Sequence, residues 1–283
     1  MKTLIELFKD RRFSFGATIL ILLLLLSLLS LFSPYDPTSW RVVPRDLAPS
    51  WEHPLGTNSL GQDVFWQATF SARNSLIMAV FGAFISRAIA LTIALVAGFS
   101  GGKVDRVLMT ISDGFMVIPL FLILVLLAML IERMTLGTMA ILFGVVGWPW
   151  DTRVIRSQIL SLREREFTYT AILSATPTFK LIFKEYTPFV IPLVLATFIN
   201  HMAFVIGMEM TLAVIGLTDV TMPTLGSMLK WALDYEAILL GRWWWILTPI
   251  VIGIAFFVAM YVVSVRISVY LDPRARIQRV GTR

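Results

Sequence analysis

Long uncharged apolar runs restrict what this chain can fold into more than any other feature. A helix that crosses a bilayer needs about 20 mostly apolar residues, and six stretches meet or approach that length. Phe13–Phe32 carries no charge, Ser75–Gly102 only Arg87, and Val107–Ile131 only Asp113. Met134–Trp150 is uncharged but short, Tyr186–Leu217 carries His201 and Glu209, and Trp243–Val265 is uncharged. In lipid the backbone finds no water to bond, so each run must be helical. The expected fold is all-α: a polytopic membrane protein with six transmembrane helices. Composition agrees, since 57% of residues are apolar and 15% charged, against about a quarter charged in soluble domains.

Lys and Arg set the orientation. With the N-terminus inside, seventeen of the 24 basic residues fall in inside segments and six in outside ones, with Arg87 within a span. That bias places both termini in the cytoplasm and explains the net charge of +6 without nucleic acid. The expected layout is an inside N-terminus (1–12), a first helix (13–32), an external loop (33–74) and a five-helix core (75–270). The core contains a long internal loop (151–188), and an inside tail follows (271–283). The external loop is rich in Pro and Trp and is expected to be ordered in part. The first run is longer than a secretory signal core and is followed by Ser33-Pro34-Tyr35-Asp36-Pro37 rather than small residues at cleavage spacing, so it reads as a retained anchor.

Several chemistries are excluded. The chain has no Cys and two His, which removes disulfides, thiolate metal sites, cysteine nucleophiles and zinc-protease signatures. Gly101-Gly102-Lys103-Val104 lacks the upstream glycine and the hydroxyl residue of a phosphate-binding loop, so it reads as a tight turn. No catalytic, cofactor-binding or metal-binding residue is expected, and the chain does not read as an enzyme. An ion-coupled secondary transporter, the competing class, would favour several carboxylates along one path.

Two groups of residues stand out. Arg87 and Glu209 are the deepest charges; they could pair within the bundle, line a pathway, or contact a partner subunit or the lipid edge. In the internal loop Phe167, Ala171, Ala175, Phe179 and Phe183 recur every four residues among charged neighbours, which is helical amphipathicity. Pro177 interrupts it, and Thr176-Pro177 suits a helix start, so two short helices with a turn near Ala175–Thr176 are predicted. Trp243-Trp244-Trp245, with Trp40, Trp51, Trp66 and Trp231, fits an interfacial belt, although such rings also stack on sugars.

From His53 onward the chain resembles the C-type permeases of dipeptide, oligopeptide and nickel ABC importers. His53-Pro54-Leu55-Gly56-Thr57-Asn58 to Gly61-Gln62-Asp63-Val64 is similar to that family's HPLGTD-x-x-G-R-D-V, and Ser71-Ala72-Arg73-Asn74-Ser75-Leu76 to its G-A-R-x-S-L. Ala97-Gly98-Phe99, Gly101-Gly102-Lys103-Val104-Asp105, Gly147-Trp148-Pro149 and Leu160 through Phe167 match further motifs in order. So do Glu209 through Leu217, Pro223 through Leu229, and Leu271-Asp272-Pro273-Arg274. The resemblance implies a type I ABC-importer permease of the inner membrane. It implies a second, usually unlike, permease subunit, two cytoplasmic ATPases that bind ATP and magnesium, and an external substrate-binding protein. The cargo would be peptides, or alternatively oligosaccharides or nickel chelates.

The family's coupling loop, E-A-A-x-x-x-G, falls on the internal loop. This chain departs from it: Tyr169, Thr170 and Ala175 replace Glu, Ala and Gly, Thr187 replaces a Leu, and Ala171 and Pro188 are kept. By position, Phe167, Ala171, Ala175, Pro177, Phe179 and Phe183 are the expected ATPase-coupling residues, their apolar side facing a partner. The competing expectation is an amphipathic helix lying on lipid.

Overall fold

The computed structural model describes residues 7–131, 134–177 and 180–271. Among them the chain is helical, with a single isolated bridge, Thr57 to Asp63, in place of any sheet. Ten α-helices are described: α1 (Arg11–Leu29), α2 (Val64–Ser100), α3 (Gly102–Val117), α4 (Leu120–Leu130), α5 (Leu136–Val146), α6 (Trp148–Arg163), α7 (Glu166–Leu173), α8 (Thr187–Val214), α9 (Leu225–Asp234) and α10 (Trp243–Leu271). A π-helical turn, Leu181–Tyr186, leads into α8.

Four segments are long and apolar enough to cross a membrane, and α3 with α4 makes a fifth if counted as one span bent by 81°. The fourth expected run, Met134–Trp150, is divided: the first of its helices, α5, stops at Val146 and α6 starts at Trp148, across Gly147. Pro149 sits in the first turn of α6, where its missing N–H costs nothing. Helix therefore continues through Asp151 to Arg163, a stretch expected to be loop from residue 151 onward.

α2 is the centre of the bundle and packs against α5, α6 and α8. Its buried residues are mostly small: Ala68, Ala72, Ser75, Ala79, Ala83, Ser86, Ala90, Ala94 and Ala97 recur at three- and four-residue spacing. Small residues let helices approach closely where lipid supplies no hydrophobic drive between them. A Cβ on Gly98 would lie 2.7 Å from Ile159, and one on Gly144 2.7 Å from Ile85. α1 packs against α10 at the other side of the bundle through Phe13, Ala17 and Val263. The α3–α4 limb is more loosely held, and Val117, Leu126 and Leu130 on it are exposed.

The segment expected to be a partly ordered loop is a folded pad. α2 begins at Val64, eleven residues before the expected span, because Asp63 caps it by accepting from the Trp66 N–H. Upstream, Arg41, Val42 and Val43 hydrogen-bond to Leu60 and Gly61. The His53 Nδ1 to Asp63 Oδ2 distance is 2.7 Å, with both side chains buried. The pad is fastened to α10: Trp244 Nε1 donates to the Thr57 carbonyl at 3.1 Å, and Arg242 reaches Ser59 at 2.7 Å and Asp46 at 3.0 Å. Gly56 adopts φ +69°, and a Cβ there would lie 2.6 Å from the Leu47 carbonyl oxygen and 2.7 Å from Trp244 Nε1.

Candidate functional site

The basic end of the bundle carries the α6–α7 hairpin. Leu162 is buried at the base of α6, and Arg163 Nη1 donates to the Gly98 carbonyl at 2.6 Å, tying the hairpin to the end of α2. α7 then turns back onto the bundle. Thr168 Oγ1 donates to the Leu162 carbonyl at 2.7 Å and lies 3.0 Å from the Tyr186 hydroxyl. Ala175 adopts φ +52°, so the predicted turn falls there, and Leu181 N bonds the Pro177 carbonyl as the chain resumes helical form.

The direction of the apolar stripe corrects the expectation. Phe167 packs edge-on to Tyr186 and stacks on Phe189 at 5.9 Å, and Ala171 packs against the same cluster. Arg165 lies over Phe189, 5.7 Å from the ring centroid. These residues cover a core of their own chain, built from α2, α6 and the start of α8. Outward face instead Tyr169, Thr170 and Leu173, the last 88% exposed. Pro177 and Ala175 are exposed at the turn. Phe179 lies outside the described residues, and the side chain of Phe183 does as well.

The intramembrane charges are arranged differently from the expected pairing. Arg87 does not pair with Glu209; its ion-pair partner is Asp151, in the first turn of α6. Arg87 also donates to Ser86 Oγ at 2.9 Å. Near this pair, His201 stacks on Phe204 and its Nε2 lies 3.3 Å from the Phe143 carbonyl, at the end of α5. Gly147 makes room for that imidazole, since a Cβ there would collide with it. The α5–α6 break is thus lined by one residue from α2 and one from α8. Asp151 was missed because the apolar run ends just before it, and a carboxylate there reads as the first residue of a solvated loop.

Glu209 is fully buried and serves α9. It accepts from Thr224 Oγ1 at 2.5 Å and from the Gly226 N–H at 3.2 Å. Thr224 is the N-cap of α9, in a capping box with Ser227. Two further bonds seat the same turn on α2: Leu225 N donates to Ser75 Oγ at 3.1 Å, and Asn74 Nδ2 donates to the Pro223 carbonyl at 2.8 Å. Gly226 permits this seat, since a Cβ there would lie 2.5 Å from Glu209 Oε1. Thr224 lies within the Pro223–Leu229 motif, but nothing in that motif links it to Glu209.

Known proteins place this architecture. The family described as "Binding-protein-dependent transport system inner membrane component" matches residues 90–277. The chain belongs to that family. The permease is 29% identical over 249 residues to the dipeptide transport system permease protein DppC of Bacillus subtilis, covering 86% of this chain and 75% of that one. It is 27% identical over 223 residues to the oligopeptide transport system permease protein OppC of Lactococcus lactis subsp. cremoris, covering 78% and 76%. This chain is therefore a multi-pass membrane permease subunit of a binding-protein-dependent importer, with the all-α fold of type I ABC permeases.

Proposed function

We propose that the permease forms half of a translocation pathway for peptides, paired with an unlike second permease subunit in the inner membrane. ATP and magnesium are bound by two separate ATPase subunits, and an external binding protein delivers cargo. Both termini and the α6–α7 hairpin are cytoplasmic, a placement the distribution of Lys and Arg supports. The peptide cargo rests on the dipeptide and oligopeptide permeases to which the chain is similar.

The observation that carries the coupling assignment is the two-sidedness of α7. Its inner face, Phe167, Thr168 and Ala171, is locked to the base of the bundle. Its outer face offers Tyr169 and Leu173. A helix anchored on one side and apolar on the other transmits a push from a docked partner into α6 and α8. Aromatic and aliphatic side chains in a small contact are the usual energetic anchors. The assembled complex, purified from membranes, tests this. ATPase subunits co-purify with the wild-type permease and are released by Leu173→Asp, while the variant permease stays folded in the membrane. Retention of both ATPases and of peptide-stimulated hydrolysis by Leu173→Asp would replace docking with the lipid-surface alternative.

A further inference from the structure

The turn between α9 and α10 exposes Ile238, Leu239 and Leu240 in succession, and Leu239 is 80% exposed. Leu233 near the end of α9 and Trp243 at the start of α10 are exposed as well. Outside a spanning helix, three consecutive bare aliphatic side chains call for a partner.

The level of the turn points to lipid. It lies beside the first turn of α10: Ala237 is buried in one cluster with Trp244, Trp245 and Ile246, and the Tyr235 ring lies 5.9 Å from that of Trp245. Near the other end of α10, Arg266 is 3.5 Å from Asp10. From Trp243 to Arg266 the helix rises about 35 Å, slightly more than the roughly 30 Å of hydrocarbon in a bilayer. With Arg266 at one face of the bilayer, Trp243 and the turn beside it reach the other, where acyl chains meet headgroups.

The turn also suits that boundary in its bonding. The N–H groups of Tyr235, Glu236, Ala237, Leu240, Gly241 and Arg242 bond to carbonyls of α9 or of the turn itself, so the backbone asks little of water. Charge is drawn aside: Arg242 reaches Ser59 and Asp46 in the pad, and Lys230 engages Asp234. A tip of three aliphatic residues fits acyl chains better than a protein groove, whose energetic anchors are typically Trp, Tyr and Arg and seldom Leu. An exposed Trp beside it is the usual companion of interfacial insertion.

We propose that Ile238, Leu239 and Leu240 insert among the acyl chains of the leaflet on the pad side, as a lipid anchor that sets the height of the pad. Arg242 stands between this anchor and α10 and carries two of the pad's fastenings. A turn held in lipid therefore holds the pad down against α10. The anchor is independent of the cargo; that its leaflet is the outer one rests on the topology proposed above.

The absence of Cys gives a direct test. Leu239→Cys carries a bimane fluorophore in the assembled importer, with cysteine replaced in the other subunits, and is reconstituted in phosphatidylcholine vesicles. Lipid brominated near the headgroup end of its acyl chains quenches most of the fluorescence, and aqueous iodide quenches little. The same label at Ser50→Cys, exposed on the pad, shows the reverse. Quenching at Leu239→Cys by iodide alone places the turn in water and overturns the proposal. Resistance to both quenchers shows that the second permease or the binding protein covers the turn, which also overturns it. The seating of the pad is read separately, on Leu60→Cys, a buried pad position. With Ile238, Leu239 and Leu240 all changed to Ser, a water-soluble maleimide labels Leu60→Cys roughly threefold faster or more than with the turn intact. Leu239→Ser alone gives a smaller increase and replaces the triple variant if that one does not assemble. An unchanged rate in both variants makes the insertion a passive contact and overturns the anchoring of the pad.

Discussion

Glu209 has no exposure to solvent, and both of its donors come from one short helix. A carboxylate at the N-terminus of α9 answers the unpaired N–H groups and positive end of that helix, so the charge is spent on seating α9. Glu209→Ala should lower the unfolding midpoint of the purified complex, with a loss of about 1.5–3 kcal/mol for each bond to the charged group. Glu209→Gln keeps an acceptor oxygen and should lose less. A midpoint unchanged in both variants would mean that Ser75 and Asn74 hold α9 without it. Arg87 and Asp151 make the second residue-scale prediction. Removing either partner leaves a buried charge alone and should cost about 3–5 kcal/mol, while Arg87→Gln with Asp151→Asn should lose well under the sum. Strict additivity across that cycle would exclude a direct pair. The sequence makes the depth of Arg87 and Glu209 plain, because each interrupts an apolar run. It hides their partners, because Asp151 and Thr224 lie just beyond the ends of such runs, where composition looks like loop.

At the scale of elements, the α6–α7 hairpin separates what periodicity can reveal from what it cannot. The four-residue spacing puts Phe167 and Ala171 on one face, and Thr176-Pro177 marks the turn that falls at Ala175. It carries no information on whether that face meets another chain or its own bundle. Here Tyr186 and Phe189, some twenty residues downstream, supply the cover. The two faces should therefore respond differently. Phe167→Ala should destabilise the permease itself by about 3–5 kcal/mol or less, given that the ring is only partly buried, and weaken coupling as a consequence. Leu173→Asp should leave the unfolding midpoint unchanged and act on the ATPase alone. The two are separated by thermal unfolding of the purified permease alongside pull-down of the ATPase. The spacing of small residues along α2 is equally visible in the sequence, but its meaning waits on knowing that three helices converge on it. Gly144→Leu should test that crowding, since even a Cβ there would lie 2.7 Å from Ile85; loss of folded protein is the expected outcome.

For the whole molecule, orientation is the expectation that the distribution of Lys and Arg carries. Ser161→Cys should be labelled by an impermeant thiol reagent only from the cytoplasmic side, and Ser50→Cys only from outside; the reverse pattern would invert the topology. Both positions are exposed. The span count is less legible, because the fourth apolar run is completed by α6 across a glycine break and the third bends by 81°. The pad over residues 33–63 has a further consequence, in time rather than in space. Its fastenings, Trp244 and Arg242, are synthesised about 180 residues after the segment they hold. During biogenesis the segment 33–63 is therefore expected to stay open to proteases until the last helix has entered the bilayer. A nascent chain halted before α10 should be cut within residues 33–63 by protease added from outside, and a completed chain should resist. A quality-control protease that samples this segment would in effect read whether the carboxyl-terminal span has arrived.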